Sequence, residues 1–126
     1  MLLFEEKTEL IIKCFYTVYN KLGYGFLERV YENALIIELK KQGFYCLQQT
    51  PVDVYYENTV VGNYFTDIMV DNKIILELKV LEGEIIREHE LQLYNYLKAT
   101  ELEVGLILNF VKKPTFKRKI FTQTPL

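Results

Sequence analysis

The stretch Lys73-Ile74-Ile75-Leu76-Glu77-Leu78-Lys79-Val80 sets the character of the whole chain. It is aliphatic and follows the turn signal Asp71-Asn72, so it predicts a β-strand. Side chains alternate along a strand, which puts Glu77 and Lys79 on one face and Leu76, Leu78 and Val80 on the other. Two opposite charges therefore stand side by side in a strand otherwise made for a core. Ionised groups in such a setting cost several kcal/mol unless they are paired or coordinate a metal. One reading is an ordinary salt bridge on a half-exposed strand, and the other is a reactive centre.

Upstream, residues 5–22 and 27–43 carry apolar residues at three-to-four spacing, broken by Gly23-Tyr24-Gly25 and stopped by Gly43. That is the pattern of two amphipathic helices. From residue 44 the texture becomes β-branched and aromatic, with turn signals at Glu57-Asn58 and Asp71-Asn72. Strands are predicted over 44–56, 59–70 and 73–80, forming an antiparallel meander. Residues 85–99 suit a third helix, 104–110 a strand buried on both faces, and 116–122 a last strand. The order ααβββαββ predicts an α/β (α+β) fold, a mixed central sheet flanked by helices in one domain over residues 1–126.

The chain has 126 residues, half of them hydrophobic and a quarter charged, enough to bury one sizeable core. No apolar run has the length of a membrane span, and Glu5 and Glu6 follow the first residues where a secretory leader would be apolar. A soluble cytoplasmic protein without a membrane partner is the expectation. Cys14 and Cys46 have no metal-binding or paired spacing and read as small reduced core residues. The net charge of −2 excludes general polyanion binding, so any nucleic-acid contact must come from a local patch. Lys112, Lys113, Lys117, Arg118 and Lys119 offer one. They suit either a phosphate contact or the blunting of an exposed sheet edge. Gly23 and Gly25 lack the remainder of a phosphate-cradling loop, which removes support for a nucleotide-binding enzyme.

Asp67 strengthens the reactive reading of Glu77 and Lys79. It lies ten residues before Glu77, on the neighbouring strand of a tight hairpin, so pairing can bring the two carboxylates to one cation. Two carboxylates with waters are what Mg²⁺ requires, and Mn²⁺ can substitute. A lysine beside such a site can orient or deprotonate an attacking water and steady charge developing on phosphorus.

Asp67 followed by Glu77-Leu78-Lys79 resembles the D-x(n)-(D/E)-x-K core of the PD-(D/E)XK phosphodiesterase superfamily. Gly25-Phe26-Leu27-Glu28-Arg29-Val30-Tyr31 resembles the signature of the GxxExxY protein family, a small branch of it. Gln92 and Tyr96 resemble the QxxxY helix motif of the RecB-like and lambda-exonuclease-like branches, and the run from Gly105 to Phe110 is similar to the strand that follows. The resemblance implies a restriction-endonuclease-like core and a metal-dependent nuclease. Asp67, Glu77, Lys79 and Glu28 would be catalytic, and Glu28, Asp67, Glu77 and the Leu78 carbonyl would hold the metal. Gln92, Tyr96 and His89, spaced on one face of the third helix, would touch the substrate. Tyr31 would position its helix, while Glu28 also suits a first-turn glutamate favoured by the helix dipole. Thr66 stands where the superfamily's name puts proline. The partner implied is nucleic acid, DNA ahead of RNA, and the tyrosine content leaves room for a homodimer. The competing expectation is a nucleic-acid-binding or protein-interaction module that keeps the fold without turnover.

Overall fold

The turns between the strands fix the architecture. In a computed structural model, which describes residues 4–85 and 87–121, the elements run α1 (Glu5–Leu22), α2 (Glu28–Lys41), β1 (Cys46–Tyr56), β2 (Thr59–Val70), β3 (Ile74–Lys79), α3 (Arg87–Thr100), β4 (Val104–Asn109) and β5 (Thr115–Ile120). Glu57 and Asn58 join β1 to β2, and Asp71 and Asn72 lie between β2 and β3. All four have positive φ, from 50° to 66°. Tight hairpins with that backbone twist in the same sense as their strands. The sheet has the order β1-β2-β3-β4-β5. β1 to β3 form the expected antiparallel meander, β4 returns parallel to β3 after α3, and β5 closes the far edge antiparallel.

Alternation along the strands builds two cores. Ile74, Leu76, Leu78, Val104, Leu106 and Leu108 face α1 and α2, where they meet Phe15, Tyr31 and Leu35. Met69, Ile75 and Ile107 face α3 and its Leu93, Tyr96 and Leu97. Every residue of β4 is buried, as a strand covered on both sides requires. Cys14 and Cys46 belong to the first core as free thiols. Burial pushes the pKa of both up, that of Cys46 to about 11.

Several boundaries differ from expectation for local reasons. Leu27 is extended (φ −72°, ψ 156°), so α2 begins at Glu28. At its other end the Phe44 N–H bonds the Leu39 carbonyl and the Gly43 N–H the Lys40 carbonyl, a helix-closing pair that delays β1 to Cys46. α3 starts at Arg87 while Ile85 is buried in the second core. Ile86 and Thr122, assigned above to the third helix and last strand, lie outside the described residues. No described helix is long and apolar enough to cross a membrane.

Gly105 sets how closely α3 approaches β4. A Cβ there would stand 2.7 Å from Cδ1 of Leu93, which is wholly buried. Gly105→Ala should therefore destabilise the fold by about 1–3 kcal/mol through overpacking. A urea melt checks this, and an unchanged midpoint would show that Leu93 relocates freely.

Candidate active site

The β2–β3 ladder pairs Val70 with Ile74, Met69 with Ile75 and Ile68 with Leu76, and there it stops. The next pair in that register is Asp67 and Glu77, and their side chains replace the ladder. The Asp67 N–H donates to Glu77 Oε1 at 3.4 Å, and the Leu78 N–H donates to Asp67 Oδ2 at 2.7 Å. Each carboxylate thus occupies the backbone of the opposite strand where the two strands part. By alternation both lie on the α3 side of the sheet, with Met69 and Ile75, and Lys79 follows on the same face.

Glu77 is only 5% exposed. Burial raises its pKa to about 8, and the charge of Asp67 adds to the rise against the opposing pull of Lys79. Among the described residues neither Asp67, Glu77 nor Lys79 forms an ion pair within 4.0 Å. The ordinary salt bridge between Glu77 and Lys79 is therefore not made. A buried carboxylate beside another carboxylate, with no cationic partner in contact, is an arrangement that a bound cation relieves.

Glu28 is the first residue of α2 and half-buried. Burial raises its pKa first and the charge of Asp67 second, with Lys79 opposing. Its surroundings thus outweigh the helix dipole, which alone would favour the charged form. Among the described residues no three His, Cys, Asp or Glu side chains form a group that could hold a metal ion. The expected convergence of Glu28, Asp67 and Glu77 on one point is thus not found. Glu28 comes from a helix packed on the opposite face of the sheet and meets the pair electrostatically. The Asp67–Glu77 pair by itself still fits Mg²⁺, which binds through one or two carboxylates and keeps several waters.

The supports of the site were only partly visible in the sequence. Tyr31 is fully buried and stacks on Phe110 at 4.4 Å and 17°. Its hydroxyl donates to the Gly23 carbonyl at 2.8 Å and accepts the Phe26 N–H at 3.3 Å, which ties down the loop leading to Glu28. One turn further along α2, Glu32 is 3% exposed and accepts the amides of both Gln48 (2.8 Å) and Gln49 (2.9 Å). Consecutive strand residues normally face opposite ways. Here a left-handed backbone at Gln49 (φ 51°) turns both toward α2, directly across from Asp67 in the β1–β2 register. Nothing in two adjacent glutamines announces this clamp. Asn109, also buried, accepts the Leu81 N–H and donates to the Leu81 carbonyl, holding the chain just after Lys79.

Removing Glu32 would take the acceptor from the Gln49 amide and leave the Gln48 amide only Asn33 Oδ1 at 3.0 Å. Glu32→Ala should cost about 1–3 kcal/mol, read from chemical denaturation, with Glu32→Gln recovering part of the loss. Full stability in the alanine variant would show that water replaces the clamp.

On α3, Gln92 Nε2 donates to the Tyr96 hydroxyl at 3.0 Å, and the Tyr96 ring lies 5.9 Å from that of Tyr64 on β2. His89, Gln92 and Tyr96 line one cleft, as their spacing implied. The basic cluster divides instead. Lys119 pairs with Glu90 of α3 at 2.6 Å, and Arg118 donates to Thr8 of α1 at 2.9 Å, because neighbours on edge strand β5 alternate faces. Lys112 and Lys113 are exposed beyond the end of β4, whose Asn109 pairs with Lys79.

Paired carboxylates thus stand across parted antiparallel strands, with a lysine two residues on, in a mixed sheet covered by helices. A family model described as the PD-(D/E)XK nuclease superfamily matches residues 5–120, and the chain belongs to that superfamily. The crystal structure of SSO0001 shares the fold with a TM-score of 0.57 at 18% identity. The match covers 91% of this chain and 57% of that one, so this chain spans little more than half the length of that relative. No functionally curated protein matches.

Proposed function

We propose that the protein is a divalent-metal-dependent nuclease that hydrolyses phosphodiester bonds of nucleic acid, with DNA as the preferred substrate. The observation that carries this reading is the Asp67–Glu77 pair, fixed by backbone N–H donors and, among the described residues, without an ion-pair partner. Asp67, Glu77 and the Leu78 carbonyl would hold Mg²⁺ or Mn²⁺, with Glu28 acting on the site through its charge alone. When bound, the ion supplies Lewis-acid activation of water and of a phosphoryl oxygen. Lys79 orients the attacking water and steadies the charge that grows on the phosphoryl oxygens. The water oxygen bonds to phosphorus, the bond from phosphorus to the leaving sugar oxygen breaks, and a proton ends on that oxygen. Gln92, Tyr96 and His89 contact the strand being cut. The Gly25, Glu28 and Tyr31 positions support placing the chain in the GxxExxY branch.

The test is incubation of labelled single-stranded, duplex and branched DNA and RNA with protein in Mg²⁺ or Mn²⁺, against EDTA. Cleavage that needs the metal and is lost in Asp67→Asn supports the reading. A second reading, a nucleic-acid-binding module without turnover, is favoured by the absence of a three-group ligand set among the described residues. Binding of nucleic acid without cleavage in any metal would select it.

A further inference from the structure

Beside the carboxylate pair, a cleft of about 950 Å³ opens between α3 and the outer part of the β1–β2 hairpin. Its walls include Tyr55, Tyr64, His89, Gln92, Asn95 and Tyr96. Tyr96 belongs to the α3-side core with Ile75 and Ile107, the face on which Glu77 emerges, so the cleft's inner wall adjoins the reactive centre. The hairpin itself is built for contact. Tyr64 is 49% exposed while its ring tilts against Tyr96 at 47°, and Tyr55 on the same cleft wall is also exposed.

The charges on these walls are few and mixed, with Asp53 and Glu88 set against Lys98. Such a surface does not follow a phosphate backbone, which calls for concentrated positive charge. Aromatic faces next to amide groups suit nucleobases, since rings stack on bases and amides offer both a donor and an acceptor to base edges. In a duplex the base faces are covered by their neighbours. Away from its ends a duplex has none to lay on Tyr64, whereas an unpaired strand can offer one at any position.

We propose that this cleft binds the bases of an unpaired nucleic-acid strand, stacked on Tyr64, and that substrate reaches the Asp67–Glu77 pair as a single strand, flap or frayed end. The second half of this inference rests on the hydrolytic reading of the pair, and the first does not.

Fluorescein-labelled oligothymidine and oligouridine strands, and blunt duplexes of equal length, are titrated with the full chain in EDTA and followed by anisotropy. Cleavage in Mn²⁺ is read separately. Tight binding of either single strand, at least tenfold tighter than its duplex, supports the cleft. Tyr64→Ala should weaken it by roughly tenfold to a hundredfold, the loss of one stacked base, while Tyr64→Phe keeps the ring and the affinity. Single-strand cleavage by Tyr64→Ala should show the change in KM with kcat retained. Blunt duplex bound as tightly as single strand, or binding indifferent to Tyr64→Ala, overturns the cleft. A parent protein that binds strand through Tyr64 but cuts nothing in Mn²⁺ or Mg²⁺ overturns the hydrolytic reading and leaves the cleft standing.

Discussion

Lys79→Ala is expected to cut single-turnover cleavage by roughly a hundredfold or more while the protein still folds and binds metal. Lys79 is half-buried on the face of Glu77 and, among the described residues, makes no ion pair, so little of the fold depends on it. On the proposed hydrolytic reading, its use is toward charge that appears only as water attacks phosphorus. An interaction made mainly in the transition state lowers kcat when removed and leaves ground-state binding nearly intact. Lys79 also pulls the Glu77 pKa down, so its loss makes the empty site hold its proton more firmly. Raising the metal concentration or the pH should then restore metal binding without restoring the rate. Melting temperature and single-turnover cleavage measured on one sample decide the matter. A folded, metal-loaded variant that cuts at the parent rate would take Lys79 out of the mechanism.

The second large effect concerns pH and metal together. Glu77 has a pKa of about 8 in the fold against an ordinary 4.5, so between those values the folded state holds a proton that the unfolded chain has released. Stability from this group is fully present below about pH 4.5 and is lost as pH rises toward 8. A divalent cation competes with that proton, so millimolar Mn²⁺ should raise the melting temperature far more at pH 8 than at pH 6. At saturation the rise should be on the order of 5–10 °C. Glu77→Gln should flatten the metal-free pH profile between these limits and abolish most of the metal increment. A metal shift that is equal at both pH values, or that survives in Glu77→Gln, would place the ion elsewhere.

How much of this could be read from the sequence depended on the range of the interaction. The hairpin of β2 and β3 was legible because Asp71-Asn72 announces a tight turn, and alternation then sets Asp67 across from Glu77. Alternation would also have divided Arg118 from Lys119, an inference their adjacency as a charge cluster concealed. The Glu32 clamp was hidden for a different reason. It depends on a positive φ at Gln49, which no local propensity favours and only packing against α2 imposes. The same holds for Asn109 and Leu81, which are separated by the whole of α3. The motif spacing located Glu28, but its distance from the carboxylate pair is set by which side of the sheet α2 covers.

The stack of Tyr31 on Phe110 has a consequence for biosynthesis. Translation delivers Glu28, Asp67, Glu77 and Lys79 well before it delivers β4 and the phenylalanine after it. Until Phe110 arrives, Tyr31 lacks its stacked partner and keeps only the edge contact with Phe26, and β3 lacks its parallel neighbour. A nascent chain can therefore carry every acidic group of the centre before the fold that arranges them is complete, which requires β4 and Phe110 to have emerged and docked.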